Sequence, residues 1–340
     1  MNAVVYEGPG VFSIKEVPDP EVRPHQVLVR VRMCGVCKTD VHIHSGKFIS
    51  SFPLIPGHEF CGEILEVGRD VQGFRVGDRV VADNTELCGY CYYCRRDQPL
   101  YCENFYSLGC NGPGGFAEYV AVNHDKVFHI TPELSYREAA FAEPTACAVH
   151  GMDRLNINPG DDVLQFGAGP TGLVLAQLIK VCGAASLVVA SPTRNKLDLA
   201  KKLGADQVVQ VQKKRSDACD AEIMRNYPKG FDVVVDATGD PAVTENAPRY
   251  AKHGGRILVY GVCDEDDRIK LSPYDIFKRE LTVLGSFAQT HCFDRALKYL
   301  ESRVVDVRDL VTNVYRLDDY ATALSAVMGD RNVVKILIEP

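Results

Sequence analysis

The 340-residue sequence has no excess of positive charge, no run of 18 apolar residues and no internal repeat. Its 38 Lys and Arg are outnumbered by 45 Asp and Glu, for a formal net charge of −7. Nothing therefore draws the chain in general to nucleic-acid phosphates or anionic lipid surfaces, and neither nucleic acid nor membrane is an expected partner. The opening "MNAVVYEGPGVFSIKEVPDP" lacks the basic stretch, apolar run and small-residue cleavage site of a secretory leader, so a cytoplasmic location is expected. Hydrophobic residues at 46% and charged residues at 24% exclude disordered, collagenous and low-complexity classes. What is plentiful is cysteine. The 13 cysteines are odd in number, which fits a reducing compartment in which thiols stay free or bind metal.

The length suits two domains of about 150 residues. Up to about residue 140 the chain is rich in β-branched residues broken by Gly, Pro and Asp, as in "QVLVRVRMCGVC" and "VGDRVVAD", a texture of short strands and tight turns. Beyond Glu143 apolar strands alternate with helix-length segments: "DDVLQF", "PTGLVLAQLIKVCGA", "SLVVAS", "RNKLDLAKKLG", "DQVVQV", and later "FDVVVDATG" and "GRILVYGV". That alternation predicts an α/β architecture with a parallel sheet covered by helices on both faces.

"GAGPTG", Gly167 to Gly172, follows a predicted strand and opens a predicted helix. In a dinucleotide site Gly167 would permit the tight turn, Gly169 the backbone approach to a pyrophosphate, and Gly172 close helix packing, while the helix start at Pro170 and Thr171 offers amides to the phosphates. An ordinary glycine-rich turn is the alternative. About 20 residues on, where an acidic side chain would select NAD through the ribose hydroxyl, stands Ser191 in "VVASPTRNK". A serine tolerates a 2′-phosphate, and Arg194 and Lys196 supply positive charge, so NADP is expected in preference to NAD. The same residues admit a plainer reading, with Ser191 capping a helix that starts at Pro192 and the two cations solvated.

"LCGYCYYCRRDQPLYC" spaces Cys88, Cys91, Cys94 and Cys102 as C-x2-C-x2-C-x7-C. Four thiolates can close a tetrahedral shell around zinc and leave no position for substrate, which describes a structural site. Disulfides and an iron–sulfur cluster are the rivals. A sparser set offers Cys37, Thr39, Asp40 and His42 in "CGVCKTDVH", His58 and Glu59 in "PGHEF", and Glu143 in "AEPTA". A thiolate, an imidazole and a carboxylate make the mixed kind of site that keeps one position open, although spacing alone does not show that they share an ion.

Taken in order, "CGVCKTDVH", "GHEFCGEILEVG", "VGDRVV", the four-cysteine lobe, "EPTACAVHG" and "GAGPTG" make the chain resemble the zinc-dependent medium-chain alcohol and polyol dehydrogenases over nearly its whole length. The resemblance implies a GroES-like, partly open β-barrel catalytic domain over residues 1–145, with the zinc lobe at 86–104. It further implies a doubly wound Rossmann domain over 146–284 and a return to the catalytic domain over 285–340. It implies two zinc ions per chain, Cys37 and His58 as catalytic ligands, and Glu59 as a further or exchanging one. Glu143 falls where the polyol branch has a glutamate ligand. Thr39 takes the place of the hydroxyl that carries off the substrate proton, His42 continues that relay, and Asp40 orients the ligands. Phe287 falls at a cofactor and substrate contact.

Two departures bear on substrate. Phe287 is followed by Ala288 where sorbitol dehydrogenases have an arginine, and Ile43 replaces a tyrosine after the relay histidine. The resemblance therefore points away from sorbitol and toward a pentitol–ketopentose pair, D-arabinitol first, with mannitol as a second substrate. Threonine or a simple secondary alcohol is the alternative substrate, and a crystallin-like protein without catalysis is the alternative of another class. Relatives of this kind form dimers and tetramers, so a homo-oligomer is expected, a tetramer before a dimer.

Overall fold

A computed structural model describes residues 1–212 and 217–340. The chain divides into two compact units, the first formed by Met1–Ala146, Thr290–Arg303 and Val307–Pro340, the second by Cys147–Gln289 and Val304–Asp306.

The first unit is built on a seven-stranded sheet. Its order is Val311–Arg316, Lys335–Glu339, Gln26–Val36, Glu59–Val67, Arg79–Ala82 and Val127–His129, with Tyr119–Asn123 also paired to Gln26–Val36. All neighbours are antiparallel except Val311–Arg316 and Lys335–Glu339. The long strand Gln26–Val36 shows why the sheet forms: Val27, Val29 and Val31 are buried while Leu28, Arg30 and Arg32 between them are not, the period-two pattern of a half-covered strand. Register shifts at Leu28/Val29 and Val31/Met33 mark bulges, which bend a strand and increase its twist. Past the second bulge the alternation stops, and Cys34, Gly35 and Val36 are all buried. The sheet closes over a core that includes Val4, Tyr6, Ile64, Val80, Phe116, Ile336 and Ile338. Each such aliphatic side chain contributes about 1.5–3 kcal/mol by leaving water.

The second unit holds a six-stranded sheet, parallel throughout. Its spatial order is Gln207–Gln210, Ser186–Ser191, Asp162–Phe166, Phe231–Asp236, Ala251–Val259 and Thr282–Gly285. Parallel strands are covered on both faces, and here they read as nearly unbroken buried runs such as Leu187–Ser191. The strand order reverses beside Asp162–Phe166, the first of the six in sequence. The crevice at the carboxyl end of such a strand is where doubly wound sheets bind ligands. Among the described residues no helix is long and apolar enough to cross a membrane.

Candidate active site and metal centres

Two strand ends in the first unit converge. The strand Gln26–Val36 ends one residue before Cys37, the strand Glu59–Val67 begins one residue after His58, and Gly35 pairs with Glu59 across the two. Donor atoms of Cys37, His58 and Glu59 consequently lie within 4.8 Å of one another. The helix Lys38–His44 starts immediately beyond Cys37, and the Asp40 carboxylate accepts the Cys37 amide at 2.7 Å, fixing the turn. The other Asp40 oxygen faces His58 Nδ1 at 3.7 Å. Burial raises the Asp40 carboxyl to about 6, against the pull of His58. Cys37 Sγ donates to Thr39 Oγ1 at 3.6 Å. Thr39 and His42, three apart on one helix, share a face.

The trio fits a cation. Burial works against a charged His58, yet Cys110, Asp40 and Cys37 outweigh it and hold the imidazole well above its ordinary value. A buried ring beside thiol and carboxyl donors is an environment that suits a divalent ion. Thiolate, imidazole and carboxylate together are zinc ligands.

The second metal group is the cysteine lobe. The sulfurs of Cys88, Cys91, Cys94 and Cys102 lie within 4.8 Å of one another. Cys88 and Cys94 are 4.0 Å apart, as are Cys91 and Cys102. Zinc–sulfur bonds of 2.3 Å in a tetrahedron place the sulfurs about 3.8 Å apart, whereas a disulfide brings two sulfurs to about 2.05 Å. The four thiols are unbridged, and their separations suit a shared four-sulfur metal shell better than disulfides. Against desolvation, which acts the other way, the Tyr90 amide, the Asn104 side chain and the Cys91 amide bring Cys88 down to about 6, favouring the thiolate that a metal needs.

In the second unit the turn Gly167–Gly172 joins the first strand to the helix Pro170–Val181. Gly167 has φ +101°, and a Cβ there would lie 2.7 Å from the Ala237 carbonyl oxygen. A Cβ on Gly172 would lie 2.7 Å from the Gly167 oxygen. Nothing lies within 4 Å of the Cβ direction at Gly169, which leaves that backbone approachable. The turn is clamped by Gln165, whose amide donates at 2.8 Å to both the Gly167 and Gly172 carbonyls.

Residues 23–132 match the alcohol dehydrogenase GroES-like domain, and residues 170–302 match the zinc-binding dehydrogenase family. The whole chain is 45% identical to D-arabinitol dehydrogenase 1 of Uromyces fabae, covering 97% of it. The chain belongs to the zinc-dependent alcohol and polyol dehydrogenases. A second relative, D-altritol 5-dehydrogenase of Agrobacterium fabrum, is 36% identical over 99% of this chain and 98% of its own. Among solved structures, a zinc-binding dehydrogenase of Sinorhizobium meliloti 1021 bound to NADP superposes with a TM-score of 0.94 at 32% identity, covering 100% of this chain and 99% of that one. The GroES-like and Rossmann architecture is therefore that of the family.

Within this dehydrogenase the remaining expected residues are distributed as follows. Glu143 is half-buried in the first turn of the helix Ala142–Leu155 and lies outside the trio. Ser191 ends its strand and is 4% exposed. It does not cap the next helix: Thr193 is the N-cap and Arg194 the first helical residue, which corrects the capping part of the plainer reading and leaves its solvated-cation part standing. Arg194 is exposed and pairs with Asp198 at 3.0 Å, and Lys196 is half-buried on the same helix. Phe287 follows the last strand of the second unit and is 41% exposed.

Three residues escape a reading of motifs. Lys335, 2% exposed, forms an ion pair with Glu59. A lysine inside the apolar run "VVKILI" was the available signal. Gln165 is a buried amide in a parallel strand. Cys110, one of many scattered cysteines, hydrogen-bonds His58, and no local pattern marks it.

Proposed function

We propose that the protein oxidises D-arabinitol to a ketopentose, D-xylulose or D-ribulose, with NADP as hydride acceptor, and that mannitol is a second substrate. The observation that carries this reading is the convergence of Cys37, His58 and Glu59 with Thr39 beside them. Similarity to an arabinitol dehydrogenase over the full length supports the substrate class. Cys37 and His58 would hold a catalytic zinc, with Glu143 or Glu59 as the carboxylate ligand, and the lobe a second, structural one. Bound there, the zinc would supply Lewis-acid polarisation of a hydroxyl and the nicotinamide cofactor the hydride-accepting chemistry.

The chain's own residues carry the proton and hold the geometry. Thr39 accepts the substrate proton as it passes its own onward, and His42 delivers it to solvent. Asp40 keeps the His58 ring in place from its Nδ1 side. Lys335 balances the Glu59 charge and holds that carboxylate in place. The reaction balances as one polyol and one NADP⁺ giving one ketose, one NADPH and one proton.

NADP preference rests on Ser191 in place of an acid, on the nearby Arg194 and Lys196, and on the NADP bound to a structural relative. Pro170 and Thr171 open the helix whose amides would face the pyrophosphate. Phe287 is assigned to the nicotinamide and substrate contact. A cytoplasmic homo-tetramer is part of the reading. Supporting it, the edge strand Thr282–Gly285 carries neither charge nor proline, and Tyr274 and Phe277 on the helix that precedes it in the chain are 67% and 79% exposed. The lobe presents a second exposed apolar group in Tyr90, Tyr92 and Tyr101, and two such faces are what a dimer of dimers requires.

Steady-state kinetics on a panel of pentitols, hexitols, threonine and secondary alcohols with NADP and NAD test the assignment. D-Arabinitol with NADP should give the highest kcat/KM. A higher value with threonine or a simple alcohol would replace the substrate.

A further inference from the structure

Gln165 stands where a parallel sheet covered on both faces calls for an apolar side chain. Its neighbours across the sheet are Val189 on one side and Val235 on the other, and all three are 0% exposed. Its Nε2 donates at 2.8 Å to the carbonyls of both Gly167 and Gly172, while its Oε1 is buried without a hydrogen-bond partner among the described residues. An orphaned buried acceptor is unfavourable, and a valine or leucine here would avoid it. What the amide adds in return is a hold on the turn that follows.

That hold falls where the rest of the unit supplies none. The sheet fixes the start of the turn, since the Gly167 amide donates to the Ala190 carbonyl at 2.9 Å and the Phe166 carbonyl accepts from the Ala237 amide at 2.8 Å. The helix fixes its end through the Leu173 amide, which donates to the Gly169 carbonyl at 2.8 Å. Between them, the amides of Ala168 and Gly169 donate to no backbone carbonyl among the described residues. Glycine is the least restrained of residues, so the peptide that follows Gly167 depends most on an added hold. In a trans peptide the C=O and the next N–H point in opposite directions. A Gly167 carbonyl held by Gln165 therefore turns the Ala168 N–H away from Gln165.

We propose that Gln165 is a positioning residue for the dinucleotide, holding the Gly167–Ala168 peptide so that its N–H is preset for a pyrophosphate oxygen. This rests on the dinucleotide reading of the glycine turn given above. A preset turn removes an ordering cost that binding would otherwise carry. Gln165 thus acts on affinity for the pyrophosphate through the turn, and touches neither the substrate nor the transferred hydride.

Gln165→Leu and Gln165→Met, made in the full-length enzyme, keep a side chain of similar size and remove the donor. Calorimetric titrations of each variant with NADPH, ADP-ribose and adenosine test the assignment. NADPH and ADP-ribose carry the pyrophosphate, and both should bind about tenfold more weakly to either variant, the effect of losing a pair of neutral hydrogen bonds that fix the turn. Adenosine carries no phosphate and should bind as it does to the unaltered enzyme. The kcat at saturating NADP and the KM for D-arabinitol should likewise be unchanged. An equal loss for all three ligands, or loss of the folded state in both variants by circular dichroism, would show that Gln165 only supports the sheet. Unchanged affinity for NADPH and ADP-ribose would show that the turn needs no such hold. Each of these results overturns the proposal and leaves the cofactor reading standing, whereas an unaltered enzyme that binds neither NADPH nor ADP-ribose overturns both.

Discussion

The Nζ of Lys335 is ion-paired with Oε2 of Glu59, and each side chain is only 2% exposed. The backbone leaves room for the pair: a Cβ on Gly35 would lie 2.0 Å from that Glu59 oxygen and 2.8 Å from Lys335 Cε. Burial alone would lower the Lys335 ammonium, but Glu59 and Cys37 reverse the direction and raise it. Removing one member of such a pair leaves a charge stranded in the interior. Lys335→Met is expected to cost about 3–5 kcal/mol in unfolding free energy. Adding Glu59→Gln to Lys335→Met should recover more than half of that loss, because the stranded carboxylate is then gone. Denaturant melts of the two single variants and the double variant check this, and strict additivity would show that the pair is not coupled.

How far the sequence anticipates this arrangement differs between elements. The alternation beyond Glu143 is legible because every parallel strand must be covered twice, which writes long apolar runs such as "SLVVAS" into the chain. The cysteine lobe is legible because its four cysteines lie within 15 residues of each other. The Lys335–Glu59 pair is not, since 276 residues separate its members and only strand pairing brings them together. Cys110 reaches His58 through the packing of Gly109 and Gly114 on Gly57, a relation between backbones that side-chain patterns do not carry. Ser191 shows the opposite case. Sequence chemistry admitted it as a helix cap, and the chain places the cap two residues later at Thr193.

Metal content separates the two cysteine sets. Elemental analysis of the purified enzyme should give two zinc ions per chain. Cys37→Ser should retain the lobe's ion and lose activity, whereas Cys88→Ser should retain the other ion at low temperature and melt earlier, since a structural zinc contributes folding free energy directly. Loss of both ions from each variant would mean that the groups are not independent.

Thr39→Val keeps the volume and β-branching of the side chain and removes the hydroxyl that lies 3.6 Å from Cys37 Sγ. Zinc content and NADP affinity should be unchanged while kcat falls by roughly 10²–10⁴, the range for loss of a positioned proton-transfer group. Turnover within a factor of two of the unaltered enzyme would remove Thr39 from the relay.

Ser191→Asp places a carboxylate at the end of the strand Ser186–Ser191, where it can accept a ribose hydroxyl and repel a 2′-phosphate. The ratio of kcat/KM for NADP over NAD should fall by at least about tenfold, equivalent to about 1.4 kcal/mol. An unchanged ratio would mean that the phosphate is not read at this strand end.

In the second unit Lys252 lies between two carboxylates, 2.9 Å from Asp162 and 2.8 Å from Asp232. Burial acts to raise the Asp162 carboxyl, but the hydrogen bonds from Lys252 and Ser186 prevail and lower it. A carboxyl lowered by folding takes its proton first in the unfolded chain. The stability it contributes is present above the ordinary carboxylate value and is lost as pH falls through the lower, folded one. Side chains that are 28–32% exposed keep this contribution modest, about 1 kcal/mol for Lys252→Met at pH 7. The difference between that variant and the unaltered enzyme should therefore shrink as the pH is lowered below the ordinary aspartate value of about 4 and Asp162 loses its charge to pair with the lysine. Denaturant melts at pH 7 and at successively lower pH check the sign, and a difference that stays constant or grows on acidification would show that Lys252 stabilises the sheet by packing instead of charge.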